Sequence, residues 1–174
     1  KQFALALKVF SLPCILFVFF LQILQNILPL NPAGLGALPW DLSINTAVSF
    51  ATNTNWQAYV PEATVSYLTQ MIGLSVQNFI SAAVGMCVLV ALIHAFLRKS
   101  AATIGNFWVL LIRSIMILLP LCLILALVLV SQGVPQTFNG PGTVPLLDPI
   151  KDSTGALVTM QTIPLGPVAS QVAI

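Results

Sequence analysis

Residues 49–59 read SFATNTNWQAY, a run that places Thr52, Asn53, Thr54, Asn55 and Gln57 together in a chain that is otherwise mostly apolar. Their side chains are neutral, and from Leu42 to Glu62 there is no Lys or Arg. Peptide carbonyls with Thr and Asn oxygens beside them make an oxygen-rich surface free of positive charge. Such dipoles suit a dehydrated monovalent cation, whose water shell they replace. Elsewhere the chain has no His-Glu-x-x-His, Gly-x-Ser-x-Gly or P-loop pattern and no acidic pair with a base nearby, so no catalytic constellation appears.

An element must hold these residues in place. Asp41 is an N-cap candidate, Leu42, Ile44, Val48 and Phe50 supply apolar contacts, and no Gly or Pro interrupts Leu42 to Thr52, which predicts a short helix over 42–51. The eleven uninterrupted residues from Leu42 to Thr52 would extend about 16 Å as a helix, roughly half a bilayer core. A helix of that length goes in and cannot come out. The chain would return through the irregular backbone of 52–57, which is tolerated at membrane depth only when buried in protein or lining a water-filled cavity. The helix's carbonyl end, carrying about half a negative charge, would point at the same place. One loop cannot surround an ion, so a site of this kind requires several copies. The other reading makes 41–64 a surface loop with a short amphipathic helix at the interface. The Asn/Thr density, the missing cations and the polar half of the following helix favour the re-entrant loop.

Composition sets the environment. Hydrophobic residues are 58% of the chain and charged ones 6%, with mean hydropathy +1.00, against about 25% charged in soluble domains. That excludes a soluble globule, and six scattered basic residues with net charge +2 exclude a nucleic-acid binder. Cys14, Cys87 and Cys122 lie in apolar runs and read as small hydrophobes. The expected class is an all-α membrane protein with three transmembrane helices and one re-entrant pore helix and loop. The first span covers about 9–30, ended by Pro29, Asn31 and Pro32; the second covers 65–97, with Ser66, Thr69, Gln70, Ser75, Gln77, Asn78 and Ser81 crowding its first half. A short turn and a third span fill 98–130, broken by Arg113 and Pro120, and 131–165 is a Pro/Gly-punctuated segment of turns and short strands. Lys1, Lys8, Arg98 and Lys99 put the N-terminus and the 98–102 turn in the cytoplasm and 31–64 and 131–165 outside. An initial Lys and an unpolar tail suggest a piece of a longer polytopic chain.

Several residues carry two readings. Arg113 is a functional candidate as an intramembrane charge, or snorkels to the interface. His94 reads as interfacial. Trp40, Trp56, Tyr59 and Tyr67 form an aromatic belt, unless Trp56 packs behind the 52–57 strand. Gln77 and Asn78 either line an ion path or bond a neighbouring helix.

The segments NTAVSFATNTNWQAY, GLSVQNFISAAVG, TIGNFWV and SQGVPQTF together resemble the potassium-binding A subunit family of the bacterial Kdp potassium-transporting ATPase, and the likeness runs from LPLNP at Leu28 to GPVASQ at Gly166. The resemblance implies the superfamily of potassium transporters, with four span, pore-loop, span repeats around a selectivity filter. This chain would hold the first repeat in 1–97, with its filter at 52–57, and 166–174 would open the second pore helix. Thr52, Asn53, Thr54 and Asn55 then match the filter and Gln57 its flanking position. The carbonyls of Asn53, Thr54 and Asn55 would be K+ ligands, with Asn and Gln side chains bracing the strand. Lacking glycine, this strand is expected not to supply the ring of carbonyls found in simple potassium channels. The implied function is K+ translocation across a bacterial inner membrane without catalysis by this subunit, ATP hydrolysis falling to a P-type ATPase B subunit, with two small subunits completing the assembly. A passive cation channel and a structural subunit without an ion path are the alternatives.

Overall fold

The computed structural model describes residues 1–97, 104–151, 153 and 155–174; the basic pair Arg98 and Lys99 lies outside the described residues. Three helices are long and apolar enough to cross a membrane: Gln2–Ile23, Thr69–Leu97 and Phe107–Ser131. The order is α1 (Gln2–Ile23), α2 (Trp40–Ala51), α3 (Pro61–Thr64), a π-helical turn (Thr69–Ser75) running into α4 (Val76–Leu97), α5 (Phe107–Ser131), β1 (Gly142–Lys151), β2 (Leu157–Ile163) and α6 (Val168–Val172). The chain is an α-helical membrane protein with one small sheet.

α1 starts at Gln2 and stops at Ile23 rather than covering 9–30. Lys8 does not delay its start, because a long-stemmed cation near a helix end reaches water. Its end is set by Gln25 and not by the prolines downstream. The fully buried Gln25 amide accepts from Ser66 N–H at 3.0 Å and donates to the carbonyls of Thr64 (3.0 Å) and Gly36, which pulls the chain out of the helix.

α2 begins one residue before Asp41, with Pro39 at its N-cap, so Asp41 sits in the first turn and favours the positive helix end from there. It packs on α1 through a core containing Val18, Ala47, Phe50 and Leu74. The second long helix opens not as an α-helix from Val65 but as seven π-helical residues. Gly73 there lies so near α1 that an added Cβ would meet Leu21 Cδ1 at 3.3 Å. Ser75 Oγ donates to the Gln70 carbonyl at 3.0 Å, and Gln70 Nε2 donates to Val65 O at 2.8 Å. The polar half of this helix is buried in protein: Ser66, Thr69, Gln70, Ser75, Gln77 and Ser81 are all nearly inaccessible.

Asn106 caps α5, its side-chain oxygen accepting from the N–H groups of Trp108 (3.0 Å) and Val109 (3.4 Å). α5 joins α4 through Ala83, Cys87, Phe107 and Leu111, and Phe107 meets Phe3 of α1 edge to face at 5.6 Å. Most of its remaining surface is apolar and exposed, as befits contact with lipid or other membrane helices. β1 and β2 pair antiparallel from Gly142↔Ile163 to Lys151↔Leu157, with an irregularity between Pro145 and Ile150.

Candidate functional site

The strand after α2 is built by its own N–H groups turning back on the helix. Thr52 N–H donates to Val48 O (3.0 Å), Asn53 N–H to Phe50 O (3.4 Å), and Thr54 and Asn55 N–H both to Ser49 O (2.9 and 3.4 Å). Trp56 N–H donates to Ser49 Oγ at 3.0 Å. Five successive donors are thereby consumed on the last turn of α2. Among the described residues, the carbonyls of Thr52, Asn53, Thr54 and Asn55 accept no hydrogen bond. Wrapping the chain this tightly requires left-handed backbone at Asn53 (φ 60°) and Asn55 (φ 56°). Asn adopts that region more readily than other non-glycine residues. The missing glycine therefore does not bar a filter-like turn, because two asparagines take the conformation that glycine usually supplies.

The side chains brace this backbone toward α4. Asn55 Nδ2 donates to Asn53 Oδ1 (3.1 Å) and to Asn78 Oδ1. Ser81 Oγ is placed 3.2 Å from Asn53 Oδ1 and 3.0 Å from Asn78 O. Thr52 Oγ1 donates to Val48 O at 2.8 Å and lies 2.8 Å from Thr54 Oγ1. Asn78 thus serves the strand by hydrogen bonding. Gln77 is buried and takes no part in that network, and Gln57 is half-buried and also outside it. A hollow of about 340 Å³ adjoins the strand, lined by Ser11, Thr52, Asn53, Ser81 and Gly85 among others. Another of about 490 Å³ is lined by Trp40, Asp41, Thr52, Thr54 and Trp56. Trp56 is 55% exposed, so it opens onto that hollow rather than packing behind the strand.

A second polar cluster fixes α2 against α1. Gln22 Nε2 donates to Val18 O and Ser43 O, both at 3.1 Å, and the Tyr59 hydroxyl donates to Gln22 Oε1 at 3.3 Å. Burial pushes the Tyr59 phenol above its ordinary value. The nearby Thr46 hydroxyl eases that shift without reaching hydrogen-bond geometry. Ser43 Oγ and Thr46 Oγ1 are buried with no hydrogen-bond partner among the described residues. Tyr67, the other belt tyrosine, is buried and donates to Asn139 O at 2.7 Å, so both tyrosines serve the protein interior. His94 Nδ1 lies 3.3 Å from Ile104 O, and Arg113 is exposed on α5.

The model of one protein family, KdpA, the potassium-transporting ATPase A subunit, matches residues 1–174. The chain belongs to this family. Curated relatives named potassium-transporting ATPase potassium-binding subunit include that of Methanoregula boonei, 68% identical over 174 residues, which are 100% of this chain and 30% of that protein. Those of Sorangium cellulosum (58% over 175 residues; 100% of this chain, 30% of that protein) and Pseudomonas aeruginosa (55% over 177 residues; 100% and 29%) are similar along the same region. The chain therefore spans about 30% of the length of these relatives.

In this A-subunit chain the residues that sequence reasoning missed are Ser49, whose carbonyl and hydroxyl hold the strand, and Gln22 and Gln25, which hold the helix and loop around it. Gln22 and Gln25 are polar residues three apart inside an apolar run, a spacing that puts both on one helix face and signals a buried partner. Ser49 carries no such mark, because a serine near a helix end is common.

Proposed function

We propose that this chain is the first span, pore-loop, span repeat of a potassium-translocating subunit, with K+ coordinated by the carbonyls of Asn53, Thr54 and Asn55. The observation that carries this reading is the one-sided hydrogen bonding of the strand: its N–H groups are spent on α2, leaving four successive carbonyls for a ligand. A cation would meet oxygen dipoles with no competing positive charge between Leu42 and Glu62. The C-terminal end of α2 adds a favourable field. Thr52 and Gln57 border the ligating oxygens, and Gln77 and Asn78 flank the path, Asn78 as a brace. Other repeats of the longer chain complete the site.

The ion is cargo: it enters from the outer face of the cytoplasmic membrane, loses water against these oxygens and passes inward. The N-terminus faces the cytoplasm, and 31–64 and 131–165 the exterior. Work against a gradient comes from ATP hydrolysed on a P-type B subunit, with two small subunits in the complex.

Gln57→Arg and Asn55→Asp in the full-length subunit test the reading. Arg at position 57 sets a cation beside the carbonyls and lowers potassium affinity about tenfold or more, ~1.4 kcal/mol per decade. Asp at 55 removes the amide donor that links Asn53 to Asn78 and changes discrimination between K+ and Na+. Potassium affinity and selectivity left untouched by both substitutions would overturn the assignment.

A further inference from the structure

We infer that one internal water molecule sits between α2 and α1, held by the hydroxyls of Ser43 and Thr46 and by the amide oxygen of Gln22. Ser43 and Thr46 are three apart, hence on one helix face, and both are completely buried. A hydroxyl inside a helix ordinarily relieves itself on the carbonyl one turn back. Thr52 does so on Val48 O at 2.8 Å, and the Cys87 thiol likewise on Ala83 O at 3.1 Å. Ser43 Oγ and Thr46 Oγ1 do not, and find no other partner among the described residues.

The groups around them have capacity to spare. Gln22 is completely buried and donates to the Ser43 carbonyl, which places its amide beside Ser43. Its Oε1 accepts from the Tyr59 hydroxyl at 3.3 Å, long against the usual O–H···O separation of about 2.7–2.8 Å, and a carbonyl oxygen accepts two hydrogen bonds. Tyr59 adjoins Thr46 in turn. Three elements, α1, α2 and the loop before α3, thus converge on two unused hydroxyls and one underused acceptor. A water accepting from Ser43 Oγ and Thr46 Oγ1 while donating to Gln22 Oε1 makes about three bonds, the usual number for an internal water. A cation would waste the hydroxyl hydrogens. The water ties the rotation of α2 to α1, independently of whether an ion binds the strand.

Thermal unfolding of the full-length protein in its complex tests this with Ser43→Ala, Thr46→Val and the double variant. Each single substitution is expected to lower the melting temperature by a few degrees, and the double to lower it by less than the sum, because both singles lose the same water. A Thr46→Val protein as stable as the parent, or more stable, overturns the inference, since deleting an orphaned buried hydroxyl costs nothing. Should the variants fail to assemble, an experimental map of the parent protein that resolves ordered water decides. Density within hydrogen-bonding distance of both Ser43 Oγ and Thr46 Oγ1 supports the site, and protein atoms packed there overturn it.

Discussion

Asn53 does two things at once: it occupies left-handed backbone at φ 60°, and its Oδ1 receives hydrogen bonds from Asn55 and Ser81. Substitutions separate the two. Asn53→Gly keeps the backbone and loses the brace; Asn53→Ala loses the brace and adds the left-handed penalty of about 1–2 kcal/mol. Asn53→Val adds β-branching, which is least compatible with positive φ. Selectivity for K+ over Na+ in the full-length transporter is expected to fall in the order parent, Gly, Ala, Val; Val matching the parent would show that the backbone turn is immaterial. Tyr59 gives a pH-dependent counterpart. Burial favours its neutral form, so its contribution to stability is present below pH ~10 and is lost as pH climbs through the raised value. Melting temperature between pH 10 and 11 should therefore fall more steeply for the parent than for Tyr59→Phe, and equal slopes would contradict the buried placement.

At the scale of elements, the π-helical turn lets the second long helix approach α1 where Gly73 meets Leu21. Gly73→Leu overfills that contact, a change that typically costs about 1–3 kcal/mol. The expected result is a lower melting temperature, with Gly73→Ala milder because the Leu21 side chain can shift. The short helix, the irregular strand and the buried polar half of the second span were legible in the sequence, since hydrophobic length, polar clustering and the absence of Gly and Pro are local signals. Three features were not. The end of α1 is decided by Gln25 reaching Ser66 and Thr64, contacts about forty positions away along the chain. The π-helical start depends on side chains capping shifted carbonyls, and hydropathy cannot register it. The left-handed asparagines come from the demand of the strand's N–H groups for Ser49, a tertiary requirement that overrides the usual preference for glycine.

For the whole molecule, α5 carries a largely apolar exposed surface and hollows open beside the strand, in a chain that spans about 30% of its relatives. In the proposed reading this single strand of carbonyls forms one wall of a cation site, and its amides are bonded inward to α2. The central claim is that these oxygens face an ion. Thallium, a heavy monovalent stand-in for potassium, locates it in an anomalous difference map of the full-length subunit. The account predicts a peak in coordinating contact with the carbonyls of Asn53, Thr54 and Asn55 that fades when K+ competes. Peaks confined to other parts of the protein, with the 52–57 strand turned toward lipid headgroups, would contradict it.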